Sequence, residues 1–228
     1  MTRSLSNVAA ALVVFTVGIV FFSAKASSGA SRQSSGPVAA PLLDVTAMAP
    51  TEDTAVLAGG CFWGIEAVFE HVKGVKSAVS GYAGGSTANP TYEQVSSGNT
   101  GHAEVVQVIY DPSQVSYGKL LQIFFSVAHD PTQLNRQGPD HGTQYRSAIF
   151  YNTPHQQQVT EAYIKQLTAA KTFSRPIVTQ VAKLQAFFPA EAYHQDYLVN
   201  HPNQPYIVIH DKPKVAALKK QFPAIYRD

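Results

Sequence analysis

From Thr54 onward the chain switches between two hydrophobic periods. "TAVLAGG", residues 54 to 60, is an unbroken apolar run closed by glycines, the pattern of a short buried strand. Phe62, Ile65, Phe69 and Val72 then recur at helical spacing until Gly74. This predicts a helix over 62–73 and leaves Cys61 at a strand-to-helix junction. "VKSAVSGYAGG" (75–85) and "HAEVVQVIYDP" (102–112) read as strands, "SYGKLLQIFFSVAH" (116–129) as a helix and "YRSAIFY" (145–151) as a strand. A helix follows from Pro154 to Ala170, then a last strand over 177–189 and a short helix over 190–201. Strands and helices that interleave in this way predict an α/β (α+β) fold: a two-layer sandwich on a mixed, ferredoxin-like sheet.

Before Thr54 the pattern is different. Arg3 and the amino terminus are positive, Val8 to Ala24 are apolar, and Ala24-Lys25-Ala26 supplies small residues at a cleavage position. Residues 1–26 therefore read as a signal peptide or a membrane anchor, with removal favoured by the small residues, and the protein as exported to the periplasm or cell envelope. Residues 27–53 are rich in Ser, Ala, Gly and Pro without periodicity and predict a flexible linker; the catalytic domain is expected over 54–228.

Composition narrows the partner. The chain has 228 residues, of which 45% are hydrophobic, enough for a full core. With only 14% charged residues, a formal charge of +2 and no basic cluster, it has no electrostatic footprint for nucleic acid. A small or peptide-like ligand and a monomeric enzyme are the expectation.

Cys61 is the only cysteine, so it forms no internal disulfide. It reads either as a small core residue or as a nucleophile, and the helix start favours the second by offering unpaired N–H groups to a thiolate. Gly59 and Gly60 leave the backbone beside it free to turn and open to a substrate. Phe62 lies on the buried stripe, whereas Trp63 lies off it and is free to wall a pocket for a methyl or thioether group. Glu104 shares a strand face with Val106, Val108 and Tyr110; buried there, it would hold a proton at neutral pH, and at the strand's start it would be solvated. Tyr92, Asp140 and Tyr145 sit in polar loops, where tyrosine hydroxyls serve either packing or a developing oxyanion. His102, His129, His141, His194 and His201 lack metal-ligand spacing and read as structural hydrogen-bonders.

"GGCFWGIEAVFEHVKGVKSAVSGYAGG", "NPTYEQVSSGNTGHAEVVQVIYDP", "DHGTQYRSAIFY" and "YHQDYL" closely resemble the peptide methionine sulfoxide reductase A family, over about 55–213. The resemblance implies that Cys61 attacks the sulfoxide sulfur of oxidised methionine, in its S epimer, and that Glu104 protonates the departing oxide. It implies that Tyr92 and Tyr145 hydrogen-bond that oxygen, that Asp140 organises the surroundings, and that Phe62 and Trp63 hold the substrate methyl. It implies no bound cofactor or metal. Many relatives carry a resolving cysteine, but here the tail lacks sulfur and Ser96 stands where some relatives have cysteine. The expected reductant of a Cys61 sulfenic acid is therefore an external thiol: thioredoxin-like, glutaredoxin-like or small. Two other readings stay open, a thiol peroxidase or hydrolase with a histidine base and a non-catalytic peptide-binding module.

Overall fold

The structure is a computed structural model that describes residues 36–44 and 51–228; the predicted targeting segment 1–26 lies outside the described residues. In chain order the elements are β1 (Asp53–Gly59), α1 (Phe62–Glu70), β2 (Val75–Ala83), α2 (Tyr92–Ser96), β3 (Ala103–Tyr110) and α3 (Tyr117–Ile123), which runs into a π-helical turn to Ala128. A small hairpin of β4 (Arg136–Gln137) and β5 (Asp140–His141) precedes β6 (Ser147–Tyr151), α4 (Pro154–Ala169), β7 (Gln180–Lys183) and β8 (Phe187–Pro189). Two short helices close the chain, α5 (Tyr197–Asn200) and α6 (Lys212–Gln221).

The main sheet has the order β7-β6-β1-β3-β2-β8. Its centre, β6-β1-β3-β2, is antiparallel throughout and is connected as βαββαβ, the ferredoxin-like pattern expected. β7 adds parallel to β6 and β8 antiparallel to β2, which makes the sheet mixed.

The apolar run over 177–189 forms two strands rather than one. β7 lies on one edge and β8 on the other, yet only residues 184–186 join them. Four Cα steps reach about 14 Å, whereas the edges of a flat six-stranded sheet would lie about 24 Å apart. The sheet must therefore curl until its edges approach. Its two faces form separate clusters: one meets the helices through large residues such as Leu57, Val106 and Ile149, while the other combines Ala58, Ala83, Ala103 and Ala148 with Val56, Val105 and Phe150.

The expected helix over 190–201 is also broken. It begins as a 3-10 turn, Ala192–His194, passes through Asp196 at φ 52°, and resumes as the four-residue α5. Tertiary contacts override the local preference: Gln195 Nε2 donates to the carbonyls of Ser80 and Ala190, both at 3.0 Å, and holds the backbone out of helical geometry. Two helices go unpredicted. α2 starts from a capping box between Thr91 and Gln94 in what reads as a turn, and α6 lies in a tail of weak amphipathicity.

Part of the predicted linker is anchored. Val38 is buried and its N–H donates to Ser126 Oγ at 3.1 Å, while the carbonyls of Val38, Ala39 and Ala40 accept from Gln122, Tyr163 and Gln166. Asp44 then accepts from the Gly118 N–H at 3.0 Å and from the hydroxyl of Ser116, the cap of α3. Residues 36–44 thus strap α3 to α4, because Val38 and the carbonyls find partners that the composition of the segment does not disclose. Asp44→Ala should lower unfolding free energy by about 1–2 kcal/mol in urea melts and leave the single-turnover rate at Cys61 unchanged, since the strap lies away from that residue's neighbours.

Candidate active site

Cys61 caps the amino end of α1, immediately after β1. The preceding Gly60 has φ 100°, a conformation open to glycine. Both glycines also make room for packing: a Cβ on Gly59 would lie 2.8 Å from the His129 ring and one on Gly60 2.5 Å from Gln137.

Glu104 projects from β3 on the face that meets the helices and is 1% exposed. Its Oε2 accepts the Phe62 N–H at 3.1 Å, so the carboxyl caps a free N–H at the start of α1. Burial nevertheless dominates and pushes its pKa up to about 8. At neutral pH Glu104 holds a proton, which decides between its two readings.

Cys61 is also buried, and its thiol is pushed well above the ordinary value by that burial and by Glu104 and Asp211. The Trp63 N–H and Lys214 act in the opposite direction and are outweighed. The helix start does favour the anion as expected, but the net direction is up, so the resting group is a thiol. Thiol and carboxyl share one desolvated place and resist carrying two negative charges.

Around them lies a cavity of about 260 Å³ lined by Cys61, Phe62, Trp63, Tyr92, Glu104, Asp140, Tyr145, Gln204 and Tyr206. All seven residues singled out in the sequence face it, although they come from α1, α2, β3, β5 and a 3-10 turn before β6. Burial and the Glu104 carboxyl raise the pKa values of Tyr92 and Tyr145, which keeps both hydroxyls protonated and able to donate. The Tyr206 hydroxyl donates to Asp140 Oδ2.

Residues 53–225 match the model of the family described as peptide methionine sulfoxide reductase. The chain belongs to that family. It is 58% identical over 180 residues to peptide methionine sulfoxide reductase MsrA 2 of Mesorhizobium japonicum, covering 79% of this chain and 92% of that one. It is 52% identical over 185 residues to the MsrA 2 of Synechocystis, covering 80% and 86%. Among solved structures, methionine sulfoxide reductase A of Corynebacterium diphtheriae superposes with TM-score 0.60 at 40% identity, over 68% of this chain and 78% of that one. Reduced Mxr1 of Saccharomyces cerevisiae does so with TM-score 0.62 at 32% identity, over 68% and 88%.

Several neighbours in this reductase's site lie outside the site residues expected from its sequence. Gln204 and Tyr206 reach the cavity from an irregular segment. His194 accepts the Trp63 indole N–H at 3.1 Å and packs 4.4 Å from the Tyr92 ring, while Tyr197 stacks on Trp63 at 3.7 Å. "YHQDYL" marks these residues as a motif without saying what they touch. Asp211 and Lys214, an ion pair at 3.1 Å, lie so close to α1 that a Cβ on Gly64 would come within 2.1 Å of Asp211 Oδ1. Two of the other histidines serve as the hydrogen-bond anchors expected: His102 ties Gly85 to Thr87, and His129 bridges Phe124 and Ser147.

A carboxyl whose pKa is near 4.5 unfolded and about 8 folded binds more protons in the native state across that interval. Stability should therefore fall as pH rises from about 4.5 to 8. Glu66 and Glu70, raised to about 7 and 8, act in the same direction. Denaturant melts across this range should show a shallower fall for Glu104→Gln than for the parent, and equal slopes would contradict a protonated Glu104.

Proposed function

We infer that this protein reduces methionine S-sulfoxide in oxidised proteins or peptides to methionine. The observation that carries this reading is the buried, protonated Glu104 facing the same small cavity as the Cys61 thiol and the Trp63 ring. A sulfoxide sulfur is a poor electrophile until its oxygen accepts a proton or strong hydrogen bonds. Glu104 supplies the proton, and Tyr92 and Tyr145 donate to the same oxygen. Phe62 and Trp63 hold the methyl group, and Asp140, tied to Tyr206, orders the rim.

Cys61 attacks the sulfur and the sulfoxide oxygen passes to the cysteine. The sulfoxide gains two electrons and becomes a thioether, and the thiol becomes a sulfenic acid. Because the chain has one cysteine, two external thiols then restore Cys61, forming one disulfide and one water. The donor is a thioredoxin-like or glutaredoxin-like protein or a small thiol. The positive amino terminus and the apolar run of Val8 to Ala24 support a site of work outside the cytosol, in the periplasm or envelope, with residues 1–26 cut away or retained as an anchor.

Incubation with a methionine sulfoxide peptide and no reductant should reduce one equivalent of the peptide and add one oxygen to Cys61. Cys61→Ser should reduce none. Glu104→Gln should slow the burst by about 10²–10⁴-fold, and the parental burst rate should decline as pH rises through about 8 as Glu104 ionises. A non-catalytic binding module would give no burst, and a hydrolase or peroxidase with a histidine base would tolerate Glu104→Gln.

During turnover, a protein thiol donor that lacks its own second cysteine should accumulate as a mixed disulfide on Cys61, visible by intact mass. Recovery of only unmodified enzyme would rule out direct attack by the donor.

A further inference from the structure

Glu66 has no place in the reaction just described, yet it is a buried carboxylate one helical turn below Trp63. It is 1% exposed in the middle of α1. Both its oxygens accept backbone N–H groups from distant segments. Oε1 accepts from Ser80 in β2 at 3.1 Å, and Oε2 accepts from Asp196 at 3.1 Å. Asp196 has φ 52° and is the last residue before α5, so its N–H is held in a left-handed conformation that a non-glycine residue adopts at a cost. On either side of it lie the two supports of the pocket wall. His194 accepts the Trp63 indole N–H, and Tyr197 stacks on the Trp63 ring with an interplanar angle of 6°.

We propose that Glu66 is a positioning residue for substrate binding: a clamp on the Asp196 N–H that sets His194 and Tyr197 against Trp63 and so fixes the wall for the methyl group. Trp63 and Glu66 stand three residues apart on one rigid helix and grip the 192–197 segment at two points. Gln195 already ties the segment to Ser80 and Ala190, so the Glu66 clamp acts on the next step, from Asp196 into Tyr197. With that step fixed, the indole has one orientation before substrate arrives, and the ordering need not be done on binding. The Glu70 and Asp196 carboxyls face the clamp from α1 and from the segment itself, and Arg227 acts on Glu70. Glu66 is distant in role from Cys61, so its removal should weaken binding and spare the chemical step. The proposal rests on the methionine sulfoxide reading.

The test uses the full chain. Trp63 is its single tryptophan, so intrinsic emission reports this wall alone. Glu66→Gln keeps the shape but turns one acceptor into a donor that faces an N–H. It should change the Trp63 emission and raise KM for a short methionine sulfoxide peptide about tenfold, with the single-turnover rate at saturation within about threefold of the parent. In a Tyr197→Leu background the same substitution should add little to KM, because both act through one ring. Should Glu66→Gln fail to fold, Glu66→Asp retains the carboxyl group but cannot span both N–H groups, and should give the same split. An unchanged KM with parental emission overturns the proposal, and so does full additivity with Tyr197→Leu. A purely structural role would lower the melting temperature without the KM shift. Emission and peptide Kd need no turnover: a parent that binds peptide but does not reduce it would defeat the reaction reading and leave the clamp to be judged on those two readouts.

Discussion

The hydrogen bond from the Phe62 N–H to Glu104 is the link on which the site depends. It joins the first turn of α1 to the start of β3 and places the carboxyl beside the cysteine that caps the same helix. A carboxyl in that position is deprived of water, and burial outweighs the N–H it accepts, so it keeps its proton at neutral pH. The same desolvation holds Cys61 as a thiol. Acid and nucleophile are therefore stored in their neutral forms, and the charge needed for reaction develops only where a sulfoxide oxygen can receive it.

Keeping this place dry requires cover from much of the chain. The curl of the sheet brings β8 alongside β2, and Ala190 just after β8 donates its N–H to the Ser80 carbonyl at 2.9 Å. This leads directly into the segment that carries Glu191, His194 and Tyr197. Glu191 accepts from the Tyr92 N–H at 2.8 Å and from the Tyr82 hydroxyl at 2.9 Å, and so fixes α2 over the cavity. The carboxyl-terminal segment then closes the other side through Tyr206 and through Asp211 and Lys214, which pack against the bare α-carbon of Gly64. Gly64 matters here because of the space it leaves, since its backbone is ordinary helix.

The strap at 36–44 shows the same principle at the far end of the core. Nothing in its Ser, Pro and Ala content favours order, but the open carbonyls meet amide and hydroxyl donors on α3 and α4 that would otherwise face water. Order there is conferred by the partner rather than by the segment.

Where hydrophobic period and local chemistry act together, the sequence was sufficient. The apolar run of β1, the stripe of α1 and the two glycines before Cys61 made the strand-to-helix junction legible, and long motifs in order identified the family. A single period in 177–189 could not reveal two strands on opposite edges, because an apolar run records burial and not which neighbour supplies it. The even choice over Glu104 had the same origin: alternation assigns a strand face, whereas the depth of that face depends on the helices laid over it. Nor could local pattern show that Asp196 interrupts a helix or that His194, Tyr197 and Tyr206 complete the pocket, since those positions are set by bonds to Glu66, Ser80, Trp63 and Asp140 far along the chain. The amino-acid sequence by itself determined which atoms react. Tertiary structure decided their protonation and their enclosure, because both follow from the water that the rest of the fold removes.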